Sequence, residues 1–163
     1  MQPKILIVDD QPLVLGVFRE ILSRGPYHVL AVGSAEEALQ LLEGESVDVV
    51  ISDERMPGMQ GSEFLTIVRD KYPEVVRIIL TGHASVESAM RAINESEIFR
   101  FLTKPVNSKV LHQAVEDALA SRAKGRETER HYSLLENLEK QAPGITHVRR
   151  DTNGVVIIDE DDE

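Results

Sequence analysis

Short runs of β-branched and other apolar residues alternate with longer segments of helical period, five times in the first three-quarters of the chain. The apolar runs are Ile5–Val8, Val29–Val32, Val47–Ile51, Val75–Leu80 and Ile98–Leu102. Apolar residues three and four positions apart mark the segments Leu13–Leu22, Ala35–Leu42, Glu63–Val68, Val86–Ile93 and Val110–Leu119. Because parallel strands joined by helices close by right-handed crossovers, this pattern predicts an α/β fold with a doubly wound, five-stranded parallel sheet.

Residues with known capping preferences stand at the expected helix ends. Ser34 followed by Glu37 is a capping-box pattern that predicts the start of the second helix. Asn107 is a suitable N-cap for the fifth helical segment, just after Pro105. These residues therefore support the helix boundaries that periodicity alone suggests.

Composition excludes several classes of function. The chain has no cysteine, which excludes disulfides, thiolate zinc sites and cysteine nucleophiles. Its formal net charge of -10 argues against holding nucleic acid or an anionic membrane by bulk charge. No apolar run approaches the roughly 18 residues of a membrane span, and the first residues lack the apolar stretch of a signal peptide. We therefore expect a cytoplasmic protein with no direct nucleic-acid or membrane partner.

Polar residues follow four of the five predicted strands. Strand one is followed by Asp9-Asp10 and strand three by Asp53, whereas strand four ends at Thr81 and strand five at Lys104-Pro105. Ligands of such sheets sit at the carboxyl ends of the strands, so we expect these side chains to lie together. Three carboxylates at one edge repel one another unless a cation compensates, and oxygen ligands suit Mg²⁺.

The same set of groups suits a phosphoryl group carried on a carboxylate. A metal ion and Lys104 would neutralise its oxygens, and the Thr81 hydroxyl would donate a hydrogen bond to one of them. Asp53 is the best candidate for the acceptor because it follows the middle strand in chain order.

Each of these residues also has a simpler interpretation. Asp9 and Asp10 could cap the first helix, and Asp53 could begin a turn. Thr81 could belong to an ordinary loop, and Lys104 could be a solvated charge. The joint occurrence of such residues at four strand ends favours a single site over four unrelated coincidences.

Four stretches in the same order resemble the receiver domain of two-component response regulators, the family that includes the chemotaxis regulator. The stretches are Ile5–Asp10, Ser52–Gly61, Leu80–His83 and Phe99–Pro105, and the resemblance covers about residues 1–122. It implies the flavodoxin-like strand order 2-1-3-4-5. It also implies a phosphoacceptor signalling domain that is not a classical enzyme.

The resemblance assigns a role to each site residue. Asp53 corresponds to the phosphoacceptor, Thr81 to the switch hydroxyl and Lys104 to the salt-bridge partner of the phosphoryl group. The implied magnesium ligands are Asp9, Asp10, Asp53 and the backbone carbonyl of Arg55, with Asp9 acting largely through water. The Lys104-Pro105 peptide is expected to be cis. Phe101 corresponds to the aromatic switch, although it could equally be a core aromatic of a half-buried edge strand.

The resemblance also implies the partners. A histidine kinase or a phosphotransfer protein would donate the phosphoryl group, and a downstream effector protein would receive the signal. The responsive surface would comprise the fourth helical segment, the fifth strand and the fifth helical segment. Arg55 and His83 occupy the variable rim positions that tune loss of the acyl phosphate in the family.

Residues 123–163 form a separate C-terminal extension to the receiver domain in this interpretation. Residues 122–126 are a polar, glycine-containing break, after which Glu127–Lys140 is again helical in pattern. Thr152-Asn153-Gly154 between two apolar runs predicts a β-hairpin, and an acidic tail follows. The fifth helix could instead run on past residue 122 and pair with a second copy in a homodimer. Otherwise the helix and hairpin could pack on the receiver or a partner, or the extension could be a linker from a longer protein.

Other functions on the same fold fit less well. A flavodoxin needs a hydroxyl-rich phosphate loop after strand one, where Asp9-Asp10-Gln11 would repel phosphate. A haloacid dehalogenase-type phosphatase needs Asp-x-Asp there, and this spacing is absent. A pseudo-receiver acting as a scaffold would not require the complete set Asp9, Asp10, Asp53, Thr81 and Lys104.

Overall fold

The computed structural model describes residues 2–82, 96–141, 149–150 and 156–157, with side chains described as far as residue 125. The first five strands are β1 (Lys4–Val8), β2 (His28–Val32), β3 (Val49–Asp53), β4 (Val76–Thr81) and β5 (Arg100–Thr103). The helices between them are α1 (Pro12–Ser23), α2 (Ala35–Gly44) and α3 (Gly61–Lys71). A long helix, Ser108–Gln141, follows β5. The predicted fourth helical segment, 86–93, lies outside the described residues.

The five strands form one parallel sheet in the order β2-β1-β3-β4-β5, which confirms the predicted fold class. The predicted strand starts at Val47 and Ile98 were two residues early, since β3 begins at Val49 and β5 at Arg100. Val47 and Ile98 are nevertheless buried, so these apolar runs extend past the ladder into packed loops. Burial preserves the hydrophobic pattern there, whereas backbone pairing sets the strand boundary.

Apolar side chains fill both faces of the sheet. One cluster joins Leu6, Val50 and Ile79 to residues of α2 and α3, including Ala38 and Phe64. The other joins Ile7, Ile51 and Ile78 to α1 and the first turns of the long helix. Alternate residues of one strand thus serve opposite layers, as two-sided burial of a parallel sheet requires.

The predicted helix N-termini are capped by the expected side chains. The Ser34 hydroxyl accepts from the Glu37 amide at 3.1 Å, and the Asn107 side chain accepts from the Val110 amide at 2.8 Å. The Glu37 carboxylate accepts from the Gly33 amide at 3.3 Å instead of completing the capping box on Ser34. Both caps satisfy backbone donors that have no partner within the helix.

The predicted break at residues 122–126 was wrong, because the long helix continues through it from Ser108 to Gln141, in agreement with the alternative of a fifth helix that runs on past residue 122. Of the five residues only Gly125 weakens a helix, by about 1 kcal/mol relative to alanine, whereas Ala, Arg and Lys favour one. A Cβ atom added at Gly125 would meet nothing within 4 Å, so no packing contact requires glycine there.

The chain divides into two compact units, Met1–Arg122 and Ala123–Glu163. In the second unit β6 (Arg149–Arg150) pairs antiparallel with β7 (Val156–Ile157), in agreement with the predicted hairpin. Arg150 lies opposite Val156, whereas a two-residue Asn153-Gly154 turn would place it opposite Ile157. The observed register is therefore one residue away from that of the predicted turn.

No helix among the described residues is both long and apolar enough to cross a membrane.

Candidate functional site

Three carboxylates meet at the carboxyl edge of the sheet. Asp9 and Asp10 directly follow β1, and Asp53 is the last residue of β3, the neighbouring strand. Each offers an oxygen within 4.8 Å of the others. Asp9 and Asp53 are buried, whereas Asp10 is exposed and leaves the cluster accessible from solvent.

Lys104, directly after β5, contributes the positive charge of this cluster. Its Nζ lies 3.0 Å from Asp9 Oδ2 and 3.2 Å from Asp53 Oδ1, with its side chain only 23% exposed. Its backbone amide donates to the Thr81 carbonyl at 2.7 Å, which extends the β4–β5 pairing by one residue. The following Lys104-Pro105 peptide is cis. Lys104 is thus a partly buried partner of two carboxylates and not a solvated charge.

The acid–base properties of the cluster reflect one cation shared among several anions. Burial raises the pKa of Asp53, Lys104 opposes this, and the charges of Asp9 and Asp10 add to the increase. Burial lowers the pKa of Lys104, but its contacts with Asp9 and Asp53 outweigh burial and leave this pKa above its ordinary value. The pKa values of Asp53 and Lys104 can both be raised because the lysine offsets the effects of burial and neighbouring carboxylates on Asp53 only in part.

The donor set fits a hard divalent cation. The three carboxylates and one ammonium leave a formal excess of two negative charges in a mostly buried site. All available side-chain ligands are oxygens, and Asp10 lies on the solvent side. A magnesium ion, which prefers oxygen ligands and retains water, matches both the charge and the accessibility. Asp9, Asp10 and Asp53 are the side chains that would hold it.

The structure also places the two predicted switch residues. Thr81 is the last residue of β4, 4% exposed, at the same edge as Asp53. Phe101 lies on β5, opposite Ile79 of β4, and is partly buried against the core cluster that contains Phe64 and Ile98. Partial burial is consistent with either a core aromatic or a side chain that changes its exposure. His83 lies outside the described residues.

The simpler interpretation of Asp9 holds in part. Its Oδ1 accepts from the Gln11 amide at 2.9 Å, just before α1, whose own N-cap residue makes no side-chain cap bond. Because its Oδ2 binds Lys104, Asp9 both supports the helix start and belongs to the acidic cluster. Asp53, in contrast, ends a strand and does not begin a turn.

The loop after β3 is held close to Asp53 at both of its ends. Met56 is buried in the core cluster beneath the loop, whereas Arg55 is exposed at the rim. A Cβ atom added at Gly61 would lie 2.2 Å from the Asp53 carbonyl oxygen, so only glycine permits this approach. Gly58 adopts φ +81, a left-handed conformation that also favours glycine.

Two polar residues that flank this loop, Glu54 and Ser62, were missed in the sequence. The Glu54 carboxylate accepts from the Ser62 amide at 3.0 Å and from the Ser62 hydroxyl at 2.8 Å. Burial raises the pKa of Glu54, while its bonds with Ser62 oppose the increase. A glutamate and a serine eight residues apart match no periodicity, so only the folded loop shows that they meet.

Comparison with known proteins identifies the family. The response regulator receiver domain family matches residues 5–116, which is more than half of the chain. The chain therefore belongs to the response regulator receiver domain family. Receiver domains are phosphoacceptor signalling domains of two-component systems that bind Mg²⁺ at an acidic pocket, and they are not classical enzymes.

Curated relatives are longer regulators that share this region. The chain is 37% identical over 129 residues to the hydrogenase transcriptional regulatory protein HoxA of Bradyrhizobium diazoefficiens, covering 79% of this chain and 26% of the relative. It is 40% identical over 119 residues to the transcriptional regulatory protein GlrR of Escherichia coli, covering 73% and 27%. The chain thus spans about a quarter of the length of these relatives.

Solved structures of isolated receiver domains are similar over almost their whole length. The signal receiver domain of an HD domain-containing protein from Pseudomonas fluorescens shares 38% identity at TM-score 0.73, covering 76% of this chain and 99% of that domain. A CheY-like receiver domain protein from Methanospirillum hungatei shares 30% identity at TM-score 0.73, covering 77% and 99%. These similarities support the same fold.

Proposed function

We propose that this chain accepts a phosphoryl group on Asp53, in a Mg²⁺-dependent reaction, from a histidine kinase or a phosphotransfer protein. The phosphorylated form would then change a surface that a downstream effector protein recognises. The observation that carries the proposal is the contact of Lys104 with both Asp9 and Asp53, at the edge of the sheet where Asp10 follows β1 and Thr81 ends β4.

The geometry supplies the groups that phosphoryl transfer requires. A carboxylate oxygen of Asp53 attacks phosphorus of the phosphohistidine, a P–O bond forms as the P–N bond breaks, and the imidazole nitrogen leaves with the bonding pair. The Lys104 ammonium, 3.2 Å from Asp53, lies where it can neutralise charge on the transferred group. Magnesium, when bound by Asp9, Asp10 and Asp53, supplies further charge neutralisation.

Signal transmission would begin with the residues around the new phosphoryl group. The Thr81 hydroxyl would donate to a phosphoryl oxygen, and Phe101 would move with the β4–β5 edge. Thr81 and Phe101 support this role because they lie on adjacent strands, with Thr81 buried and Phe101 only partly so. The output surface would include β5 and the first turns of the long helix.

The first test is phosphorylation of the full chain by acetyl phosphate with and without Mg²⁺. We expect the wild type to gain the mass of one phosphoryl group only when Mg²⁺ is present, and Asp53→Asn to gain none. Asp70→Asn removes an exposed carboxylate outside the site and should be phosphorylated like the wild type. Intact mass spectrometry measures all three.

The second test follows the switch residues. Beryllofluoride with Mg²⁺ should shift the amide resonances of Thr81 and Phe101 in the wild type but not in Asp53→Asn. Unchanged spectra in the wild type, or an equal response in the variant, would instead favour the pseudo-receiver scaffold.

A further inference from the structure

Glu54 closes the loop that joins β3 to α3. Three hydrogen bonds connect it to the first two residues of α3, two of them to its carboxylate from the Ser62 amide and hydroxyl. In the third, the Gly61 amide donates to the Glu54 carbonyl at 2.9 Å. Both carboxylate oxygens and the carbonyl of Glu54 therefore hold the two ends of the loop together. We call the two hydrogen bonds between the Glu54 carboxylate and Ser62 the clasp.

Among the side chains that the structure describes, that of Glu54 is the one that caps the start of α3. The N-cap residue of α3, Gln60, makes no side-chain cap bond. Glu54 supplies the acceptor from across the loop, and its negative charge is favourable near a helix N-terminus. The Glu54 carboxylate thus replaces the usual local cap and makes the start of α3 depend on the loop.

The closed loop contains residues on which the proposed metal site depends. Asp53 precedes Glu54, and Arg55, whose carbonyl the family resemblance assigns to the metal, follows it. Gly61 packs against the Asp53 carbonyl so closely that no side chain fits between them. Loss of the hydrogen bonds between Glu54 and Ser62 would therefore loosen the backbone that runs from Asp53 to Arg55.

We propose that Glu54 is a positioning residue for magnesium binding, which acts through Ser62 by holding the Asp53–Arg55 backbone in its binding geometry. This inference rests on the proposed function, since it assumes that the acidic cluster binds Mg²⁺. Residues outside the coordination sphere that orient ligands typically change metal affinity by 10- to 100-fold.

The experiment is a Mg²⁺ titration of the full chain, followed by amide chemical shifts, for the wild type and three variants. Glu54→Ala removes the clasp and should weaken Mg²⁺ affinity about tenfold. Glu54→Gln can still accept from the Ser62 amide and donate to its hydroxyl, so its affinity should stay within about twofold of the wild type. Thr66→Val is the matched control because Thr66 bonds to the Ser62 carbonyl but not to Glu54.

A kinetic measurement separates positioning from a general loss of structure. With acetyl phosphate as donor, Glu54→Ala should need more Mg²⁺ for half-maximal phosphorylation but reach the wild-type rate at saturating Mg²⁺. If Glu54→Ala does not fold, Ser62→Ala removes one of the three bonds and should show a smaller loss in the same direction.

Two outcomes would overturn this inference while leaving the proposed function intact. One is wild-type Mg²⁺ affinity in Glu54→Ala, and the other is an equal loss in Glu54→Ala and Glu54→Gln, which would assign the effect to charge alone. If the wild type itself neither binds Mg²⁺ nor becomes phosphorylated, the proposed function fails first, and Glu54 has no site to position.

Discussion

The positive charge of Lys104 compensates the negative charge of Asp53 only in part. The lysine lies within 3.2 Å of two carboxylates, so its charge is shared, and Asp53 retains an unfavourable interaction with Asp9 and Asp10. A buried cluster with excess charge destabilises the fold unless a cation is bound. Without a bound cation, the excess negative charge of the cluster is therefore expected to lower the stability of the fold.

We expect Asp53→Asn to raise the free energy of unfolding at neutral pH without Mg²⁺ by about 1 kcal/mol, a common size for one substitution. The native pKa of Asp53 is raised, so the native state holds its proton to higher pH than the unfolded state. The contribution of Asp53 to wild-type stability should therefore fall as pH rises from 3.8, the ordinary value, through the higher native pKa. At pH values below this range, the free energy of unfolding of Asp53→Asn should no longer exceed that of the wild type.

Urea unfolding across this pH range measures the effect, with the exposed Asp70→Asn as control. Adding Mg²⁺ at ten times its dissociation constant should stabilise the wild type by about 1.4 kcal/mol and the variant by less. A variant that is less stable than the wild type at neutral pH without Mg²⁺ would contradict the prediction.

The site residues differ in how far the sequence could predict them. Asp9, Asp10, Asp53, Thr81 and Lys104 could be grouped because each stands at a strand end, and parallel strands bring such ends to one edge. Glu54 could not be assigned, because its partner Ser62 lies on a helix reached only after the loop has closed. Local pattern thus predicts which edge is polar, whereas individual hydrogen bonds depend on the loop path.

At the scale of elements, Arg77 connects β4 to the segment that leads into β5. It is 7% exposed, and its guanidinium donates to the backbone carbonyls of Val75 and Ser96 at 2.8 and 3.0 Å, with longer bonds to Pro73 and Glu97. Burial lowers the pKa of Arg77. In the sequence, Arg77 is only a charged residue within an apolar run, and nothing there indicates which backbone carbonyls accept its hydrogen bonds.

The same segment is tied to α3 by hydroxyl groups. Ser96 is fully buried, and its hydroxyl lies 2.7 Å from that of Thr66 and donates to the Ser62 carbonyl at 3.1 Å. Glu97, directly after it, has a φ of 49, which is unfavourable for a residue with a side chain. The approach to β5 is therefore held by polar contacts, which explains why apolar periodicity placed its start two residues early.

The continuous long helix leads to a prediction at Gly125. Gly125→Ala should raise helix content and the free energy of unfolding by up to about 1 kcal/mol, because alanine loses less backbone entropy in a helix. Gly16→Ala, at an exposed position of α1 with equal space, is the matched reference. Circular dichroism and thermal unfolding of both variants measure this, and a clear gain at Gly16 without one at Gly125 would indicate a helix break at residues 122–126.

At the scale of the whole molecule, two compact units share one chain. The first, Met1–Arg122, holds the parallel sheet, both core clusters and the acidic site. The second, Ala123–Glu163, contains most of the long helix and the β6–β7 pair. Every residue of the two core clusters and of the acidic site lies within Met1–Arg122.

We expect the second unit to support a homodimer through the apolar stripe Tyr132, Leu135 and Leu138 of its sequence. Full-length protein should be dimeric by size-exclusion chromatography with light scattering. Leu135→Glu with Leu138→Glu should be monomeric, because charges would enter the apolar contact. Ser133→Glu with Asn137→Glu, which helical periodicity places opposite this stripe, introduces the same charges and is the control.

Repeating the measurement with beryllofluoride tests whether phosphorylation changes assembly. A dimer that persists in the Leu135 and Leu138 variant would assign the contact to the first unit instead.

The order of strands and helices, the two-sided core and the polar edge followed from the sequence, because periodicity and strand-end polarity are local properties that folding preserves. Tertiary structure alone decided that Lys104 reaches both Asp9 and Asp53, that Glu54 clasps Ser62 and that Arg77 finds its carbonyl acceptors. It also decided that the long helix passes through Gly125. The physical reason is that each depends on residues distant in sequence or on a net balance of small energies, and neither leaves a local pattern.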